Sequence, residues 1–258
     1  MEAPARTREF TFDLPIGLSD EEGANTRAIT LRKMTGKEEA ILADRRYQRN
    51  GGKLVTKLIH SCLVRVGEEP SNGQATVSNM YSADRNYLLL KLRVITFGPE
   101  LETTYTCPAC SDTITIFEDL DELPVRRLDN GSSAEDVFVE LEDGYYDKEG
   151  QIHTSLTLRL PTGADEEAVA PQLRKNASLG KNALLARCMK SLGDVPAHRL
   201  NALGTRIMQE LTMTDRRLID RALNDGAPGV DLVRHVDCPT CGHEFTTTLD
   251  LSRFLSLA

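Results

Sequence analysis

Four of the six cysteines in this 258-residue chain fall into two Cys-Pro-x-Cys pairs, Cys107-Pro108-Ala109-Cys110 and Cys238-Pro239-Thr240-Cys241. A Cys-x-x-Cys pair puts two thiolates on one tight turn, where both reach a tetrahedral ion at about 2.3 Å, and a closed structural site needs two such turns. Each half of the chain supplies one. The proline fixes a backbone angle in each knuckle, and Gly242 can take the positive φ that closes the second. The economical reading is one structural Zn²⁺ per chain, shared by Cys107, Cys110, Cys238 and Cys241. Two alternatives stand beside it: His243 replacing a thiolate, since only the second pair has histidines nearby (His235 and His243), or a redox disulfide. A four-thiolate site leaves no open position for water, which argues against metal catalysis.

Other reactive side chains read as structural. Cys62 and Cys188 sit at matching places on amphipathic segments, where a free cysteine packs as a small hydrophobe. His60, His153 and His198 have no neighbouring acid or nucleophile pattern, so none suggests a triad. The acidic run Asp119 to Glu122 lacks the spacing of a calcium loop and reads as a solvated face. Arg32 and Arg159, and Arg85 and Arg216, recur at equivalent places and read as charge pairs or helix-end contacts within their own halves. No Gly-rich phosphate loop, His-Glu-x-x-His helix, nucleophile elbow or deaminase signature occurs, so the chain reads as non-enzymatic.

The elements that must present the cysteines repeat. Thr30-Leu31-Arg32 and Thr35-Gly36 recur 127 positions later as Thr157-Leu158-Arg159 and Thr162-Gly163, and Asp20, Glu22 and Gly23 match Asp147, Glu149 and Gly150. Leu58 to Pro70 aligns with Leu184 to Pro196 at an offset of 126. Asp84-Arg85 matches Asp215-Arg216 at 131, an offset that carries through both cysteine pairs to Asp119-Leu120 and Asp250-Leu251. The fold class that follows is α+β, a tandem duplication of a hairpin–helices–zinc-ribbon unit with a pseudo-two-fold axis near the shared zinc. The first lobe is 1–130 and the second 131–258, with the seam in the turn-rich stretch Asp129 to Ser133.

Within each lobe, period-two alternation predicts a hairpin, Phe10-Thr11-Phe12 with Ile29-Thr30-Leu31 and its counterpart in 137–160. Thr35 with Glu38, and Thr162 with Asp165, predict capped helices. A second helix is expected over Leu54 to Val66 or Ala183 to Leu192, and a third from near Ser82 or Thr214. Strand pairs Thr103–Thr106 with Thr113–Phe117, and Asp231–Val236 with Glu244–Leu249, complete the ribbons.

The formal charge of −8 opposes polyanion binding, although a local basic patch is compatible with it. The rival reading, a zinc-ribbon nucleic-acid-binding protein, would need a basic, aromatic-bearing face that this tryptophan-free chain does not advertise. The N-terminus lacks a charged then apolar leader pattern, and no run of about 18 uncharged apolar residues occurs. A cytoplasmic location with no membrane partner is the expectation.

The phrases Phe10-Thr11-Phe12-Asp13-Leu14-Pro15-Ile16-Gly17, Asp84 to Leu90 running into Thr96-Phe97-Gly98, and Thr104-Tyr105-Thr106-Cys107-Pro108 resemble the T4-type baseplate hub assembly chaperone family. Leu158 to Gly163, Leu184 to Cys188 and the closing Cys-Pro-Thr-Cys-Gly-His-Glu-Phe resemble its longer members in contractile injection systems. The resemblance implies a non-enzymatic protein made in the cytoplasm that acts on baseplate or hub proteins of a phage-tail-like particle, as assembly chaperone or retained component. It transfers the cysteines and no partner-binding residue.

Overall fold

The computed structural model describes residues 8–19, 25–70, 73–129 and 133–249. The first part of the chain runs β1 (Glu9–Ser19), β2 (Asn25–Arg32), α1 (Gly36–Ala43), α2 (Arg45–Gln48), α3 (Gly51–Cys62), β3 (Leu63–Val66), β4 (Glu69–Pro70), α4 (Gln74–Asn79), α5 (Ser82–Phe97), β5 (Glu100–Thr106), β6 (Thr113–Asp119) and β7 (Val125–Arg126). The second runs β8 (Val137–Tyr146), β9 (Ile152–Leu158), α6 (Gly163–Lys175), α7 (Ala177–Cys188), β10 (Met189–Leu192), α8 (Ala197–Glu210), α9 (Met213–Asn224), β11 (Gly229–Val230), β12 (Val233–Asp237) and β13 (Glu244–Thr248). The mixture of helix and sheet is that of an α+β protein. Among the described residues no helix is long and apolar enough to cross a membrane.

The expected hairpins form, with Phe10 opposite Leu31 and Phe12 opposite Ile29 in one, and Val139 opposite Leu156 in the other. The turn residues Asp20, Glu22 and Gly23 lie outside the described residues. Their counterpart turn is held by Asp147, whose carboxylate accepts the backbone N–H groups of Glu149 and Gln151 at 2.9 and 2.8 Å. Asp147 also lies 3.2 Å from His153 Nε2, so His153 has an acidic neighbour that its sequence context did not suggest. Hairpin geometry, by returning β9 alongside β8, brings them together.

Both capping boxes form. Each also serves tertiary packing, because the capping acid receives the arginine at the end of the preceding strand: Arg32 donates to Glu38 and Arg159 to Asp165. These arginines are charge pairs within their halves, as expected. Burial pushes the Glu38 carboxyl up, but hydrogen bonds from Arg32, Ser61 and Thr35 outweigh it and hold the group down at about 2. A carboxyl depressed by folding stabilises fully above its ordinary value of 4.5, and that contribution is lost as the pH falls toward about 2. Glu38→Gln should therefore lower stability at neutral pH and flatten the acid loss between those limits. Urea unfolding across that window measures it, and an unchanged slope would refute the assignment.

The second helix ends earlier than its sequence pattern predicts. Leu63 to Val66 and Met189 to Leu192 are strands β3 and β10, each added antiparallel to the hairpin, with Leu31 opposite Leu63 and Leu156 opposite Leu192. Leu63 leaves the helical region (φ −73, ψ 122), and pairing with β2 gives its segment backbone partners that another helical turn would not place beside the sheet. Leu63 is buried and Arg65 exposed, although residues two apart on a regular strand share a face, because the pairing register shifts between them. The third helices begin slightly before the expected caps: Tyr81 and Thr212 are the N-caps, and Thr212, not Thr214, accepts the Asp215 N–H.

Corresponding contacts recur in both parts. The first strand of each hairpin bulges at a positive-φ glycine, Gly17 (φ 103) or Gly144 (φ 74), and an aspartate on the last long helix caps the bulge. Asp84 accepts the N–H groups of Ile16 and Gly17 at 2.8 and 3.0 Å, and Asp215 those of Glu142, Asp143 and Gly144 at 2.7 to 3.2 Å. Asn50 and Asn176 cap α3 and α7 alike. Two separate cores result, one around Leu14, Ile29, Leu31, Leu58, Cys62 and Leu88, the other around Leu141, Leu156, Leu158, Cys188, Ile207 and Ile219. Cys62 and Cys188 pack in them as expected, and burial pushes both thiols up to about 12.

The two parts meet through different surfaces. Tyr81 bridges Thr162, Ser82 N–H donates to the Pro161 carbonyl, and Ile16 packs with Ala134 and Leu160. Helix α3 lies on α6, without comparable packing of α7 on α1. A contact exchanged by a two-fold axis must be reciprocated, and α3 on α6 has no comparable counterpart in α7 on α1. The half-turn expected for the whole chain is therefore not a property of the lobe contact. Arg85 also departs from expectation. It is fully buried at the contact, donating to Thr56 Oγ1 and the Gly52 carbonyl of its own half, while the carboxylate it faces, Glu166 at 3.5 Å, belongs to the other. Arg216 instead donates to Met208 O, near its own helix start.

Candidate metal centre

Each pair of ligands begins as a turn between two strands. Thr106 pairs with Thr113 and Asp237 with Glu244, which leaves a knuckle at the tip of each ribbon. Cys107 N–H donates to the Asp112 carbonyl, and Cys238 N–H to the His243 carbonyl. The chain then returns through a positive φ, at Gly242 (φ 69) as expected and at the equivalent Ser111 (φ 63). The strands span Glu100–Thr106 with Thr113–Asp119 and Val233–Asp237 with Glu244–Thr248, close to their expected limits.

The ribbons then pack against each other. Tyr105, Ile114 and Val236 form a small apolar core beneath the knuckles, with Ile116 and Phe245 at its margin. Arg234 donates to Glu118 at 3.0 Å across the ribbon contact, and the Thr240 hydroxyl to Asp112 across the knuckles. At their bases Leu120 and Leu249 anchor both ribbons on Leu90 of α5. Leu251, the counterpart of Leu120 in the repeat, lies outside the described residues.

This packing brings four sulfurs to one point. Cys107 Sγ lies 3.7 Å from Cys241 Sγ, Cys110 Sγ lies 3.6 Å from Cys238 Sγ, and all four are within 4.8 Å of one another. A tetrahedral ion with bonds of about 2.3 Å separates its thiolates by roughly 3.8 Å, whereas a disulfide brings sulfur to about 2.05 Å. The spacing is that of a metal cage. The first cysteine of each pair is buried and the second exposed. Exchanging the ribbons exchanges the two close sulfur contacts, Cys107–Cys241 and Cys110–Cys238.

Electrostatics agree with a cation. Burial opposes ionisation of Cys107, but the backbone N–H groups of Cys110 and Ala109 hold its thiol down at about 6. Cys110 is pushed up to about 12: the Asp112 N–H favours its thiolate, yet desolvation and the three neighbouring sulfurs prevail. Four thiols this close cannot all ionise unless a positive charge sits among them. The donor set fits a tetrahedral thiophilic metal, a class that includes zinc and iron. His235 and His243 are exposed, and neither ring joins the sulfur cluster.

The remaining sequence candidates lie away from this point. His60 and His198 join no cluster of metal-ligating groups among the described residues, and Asp119, Asp121 and Glu122 face solvent around the buried Leu120. Sequence reasoning missed the ribbon-to-ribbon pair Glu118–Arg234 and the pairing of Arg85 with Glu166. The only local sign of the latter was the glycine of Thr162-Gly163, which also suits a helix start.

An α+β chain with two hydrophobic cores and a cluster of four cysteines is the class this geometry defines. The protein belongs to the T4 bacteriophage base plate protein family, whose pattern matches residues 7–256. No curated protein and no solved structure matches the chain. Membership carries a structural or assembly role in a phage-type baseplate, in association with other baseplate proteins.

Proposed function

We propose that the protein is a non-enzymatic assembly chaperone or structural component for the baseplate hub of a phage tail-like contractile injection system, binding a hub, spike or wedge protein. The observation that carries this reading is the family match over residues 7–256, which takes in both lobes and both ribbons. The lobes, 1–130 and 131–258, are read as tandem duplicates. Support comes from the recurring capping boxes, glycine bulges and aspartate caps. One structural Zn²⁺ bound by Cys107, Cys110, Cys238 and Cys241 ties the ends of the two lobes. Zinc carries no redox chemistry, which suits a clamp that sets lobe geometry.

The deciding experiment is recovery of the protein from its native producer. Presence in mature particles would mark a retained subunit, and presence only with free hub protein in the cytoplasm would mark a transient chaperone. Co-purification with neither would sink the reading. Metal analysis should give about one zinc per chain, and two would refute the shared site.

A further inference from the structure

Most of the basic side chains with nearby carboxylates form ion pairs, among them Arg65, Lys91, Lys181, Lys190, Arg199 and Arg206. One corner differs. At the α2–α3 turn Arg45, Arg49 and Lys53 are exposed, and at the end of α6 so are Arg174 and Lys175. Among the described residues none of these five has a carboxylate within salt-bridge distance; only Arg46 there is paired, with Asp44. The two turns form one surface, because Arg174 Nη1 donates to the Arg49 carbonyl at 3.2 Å and Asn50 Nδ2 to the Glu167 carbonyl at 2.8 Å.

Helix ends account for part of this charge. Cations at the end of α6 are favoured by the helix dipole, but Lys53 stands in the first turn of α3, where a positive charge is disfavoured. Its place has no local explanation. Beside the cations two leucines stand open, Leu173 at 42% and Leu179 at 46% exposure. Leu173 packs so closely on Gly180 that a methyl group there would overlap it, which fixes the α6–α7 corner.

From this corner we infer that Arg45, Arg49, Lys53, Arg174 and Lys175, with Leu173 and Leu179, form a docking surface for an acidic protein segment carrying apolar side chains. Charge complementarity selects the partner's sign, and the leucines select protein over a bare polyanion. The rest of the molecule supports the same choice. With a net charge of −8, and with carboxylates along the β8–β9 hairpin and the first ribbon, a long nucleic acid leaving the corner would meet like charge. A short acidic segment would not. The same net charge opposes a second copy of this chain as the occupant. The surface extends the baseplate assembly reading by naming its contact face, but a peptide assay reads it without reference to the particle, so either claim can fail alone.

The test uses the full-length, metal-replete protein and a labelled amphipathic peptide with glutamate on one helical face and leucine on the other. Binding should weaken with added salt, and Arg49→Glu/Arg174→Glu should reduce affinity about tenfold or more. Lys53→Glu/Lys175→Glu should do the same, providing a second variant if the first is unstable. Arg217→Glu/Arg221→Glu, which reverses exposed charge on α9, should leave it unchanged. Equal loss in the α9 variant, or no peptide binding at all, would overturn the assignment. Tighter binding of single-stranded DNA of matching length would replace it with a polyanion site. Salt-sensitive self-association abolished by the first variant would replace it with a contact between copies.

Discussion

Replacing Cys107 or Cys238 by serine is expected to release the metal and destabilise the chain to nearly the same extent. The residues are 131 positions apart, yet their sulfurs belong to one cluster, so each substitution removes one quarter of the same ligand set. Structural zinc contributes about 10–16 kcal/mol in small finger peptides, so one ligand is worth roughly 2.5–4 kcal/mol if the four share it evenly. The loss should appear in both ribbons together, because Tyr105 and Ile114 of one share a core with Val236 of the other beneath the knuckles. Metal content and urea unfolding of each variant measure it. A Cys238→Ser protein that keeps its metal and its stability would show that the first pair does not depend on the second. The double variant should cost little more than either single one, since two residues serving one ion are strongly non-additive.

An equally severe effect is expected at a position with no ligand near it. Gly163 opens α6 against the fully buried Arg85, and a Cβ there would overlap the guanidinium at Nη1 and Cζ. Arg85 has no free space to retreat into, since Thr56, the Gly52 carbonyl and Glu166 already hold its head group. Overpacking alone costs about 1–3 kcal/mol, and dislodging a buried charge from its partners about 3–5 kcal/mol. Gly163→Ala should therefore destabilise by about 3 kcal/mol or more. In an Arg85→Met background the same substitution should cost at most about 1 kcal/mol, because a flexible thioether can withdraw. Urea unfolding of the four proteins in that cycle decides it. Equal penalties in both backgrounds would mean that Arg85 is not what Gly163 makes room for.

The two positions differ in how far the sequence announces them. Cys107 and Cys238 carry their chemistry in their spacing, and the capping boxes at Thr35 and Thr162 likewise depend on an acid three residues away. Arg85 stands beside Asp84 in the repeat and reads there as a local pair. Asp84 instead caps the bulge at Gly17, and Arg85 hydrogen-bonds Thr56 of its own half while its carboxylate partner, Glu166, comes from the other. The pairing of Leu63 with Leu31 was hidden for a similar reason: its segment follows a helical pattern without a glycine or proline, and only the waiting edge of β2 makes it a strand.

What the sequence by itself determined is the set of local devices: hairpin alternation, helix caps, two thiol knuckles, and the ordered recurrence that carries the family resemblance. The caps and knuckles are settled by groups within a few residues of one another, where backbone geometry leaves few choices, and the recurrence is legible because those local devices repeat in order. The tertiary structure alone decided which unlike surfaces the lobes join, that Arg85 lies between them, and that the cations at Arg49 and Arg174 share one corner. Those outcomes rest on contacts between residues far apart in the chain, 81 positions for Arg85 and Glu166 and 125 for Arg49 and Arg174. Many surfaces compete for such contacts, and packing of the whole chain selects among them.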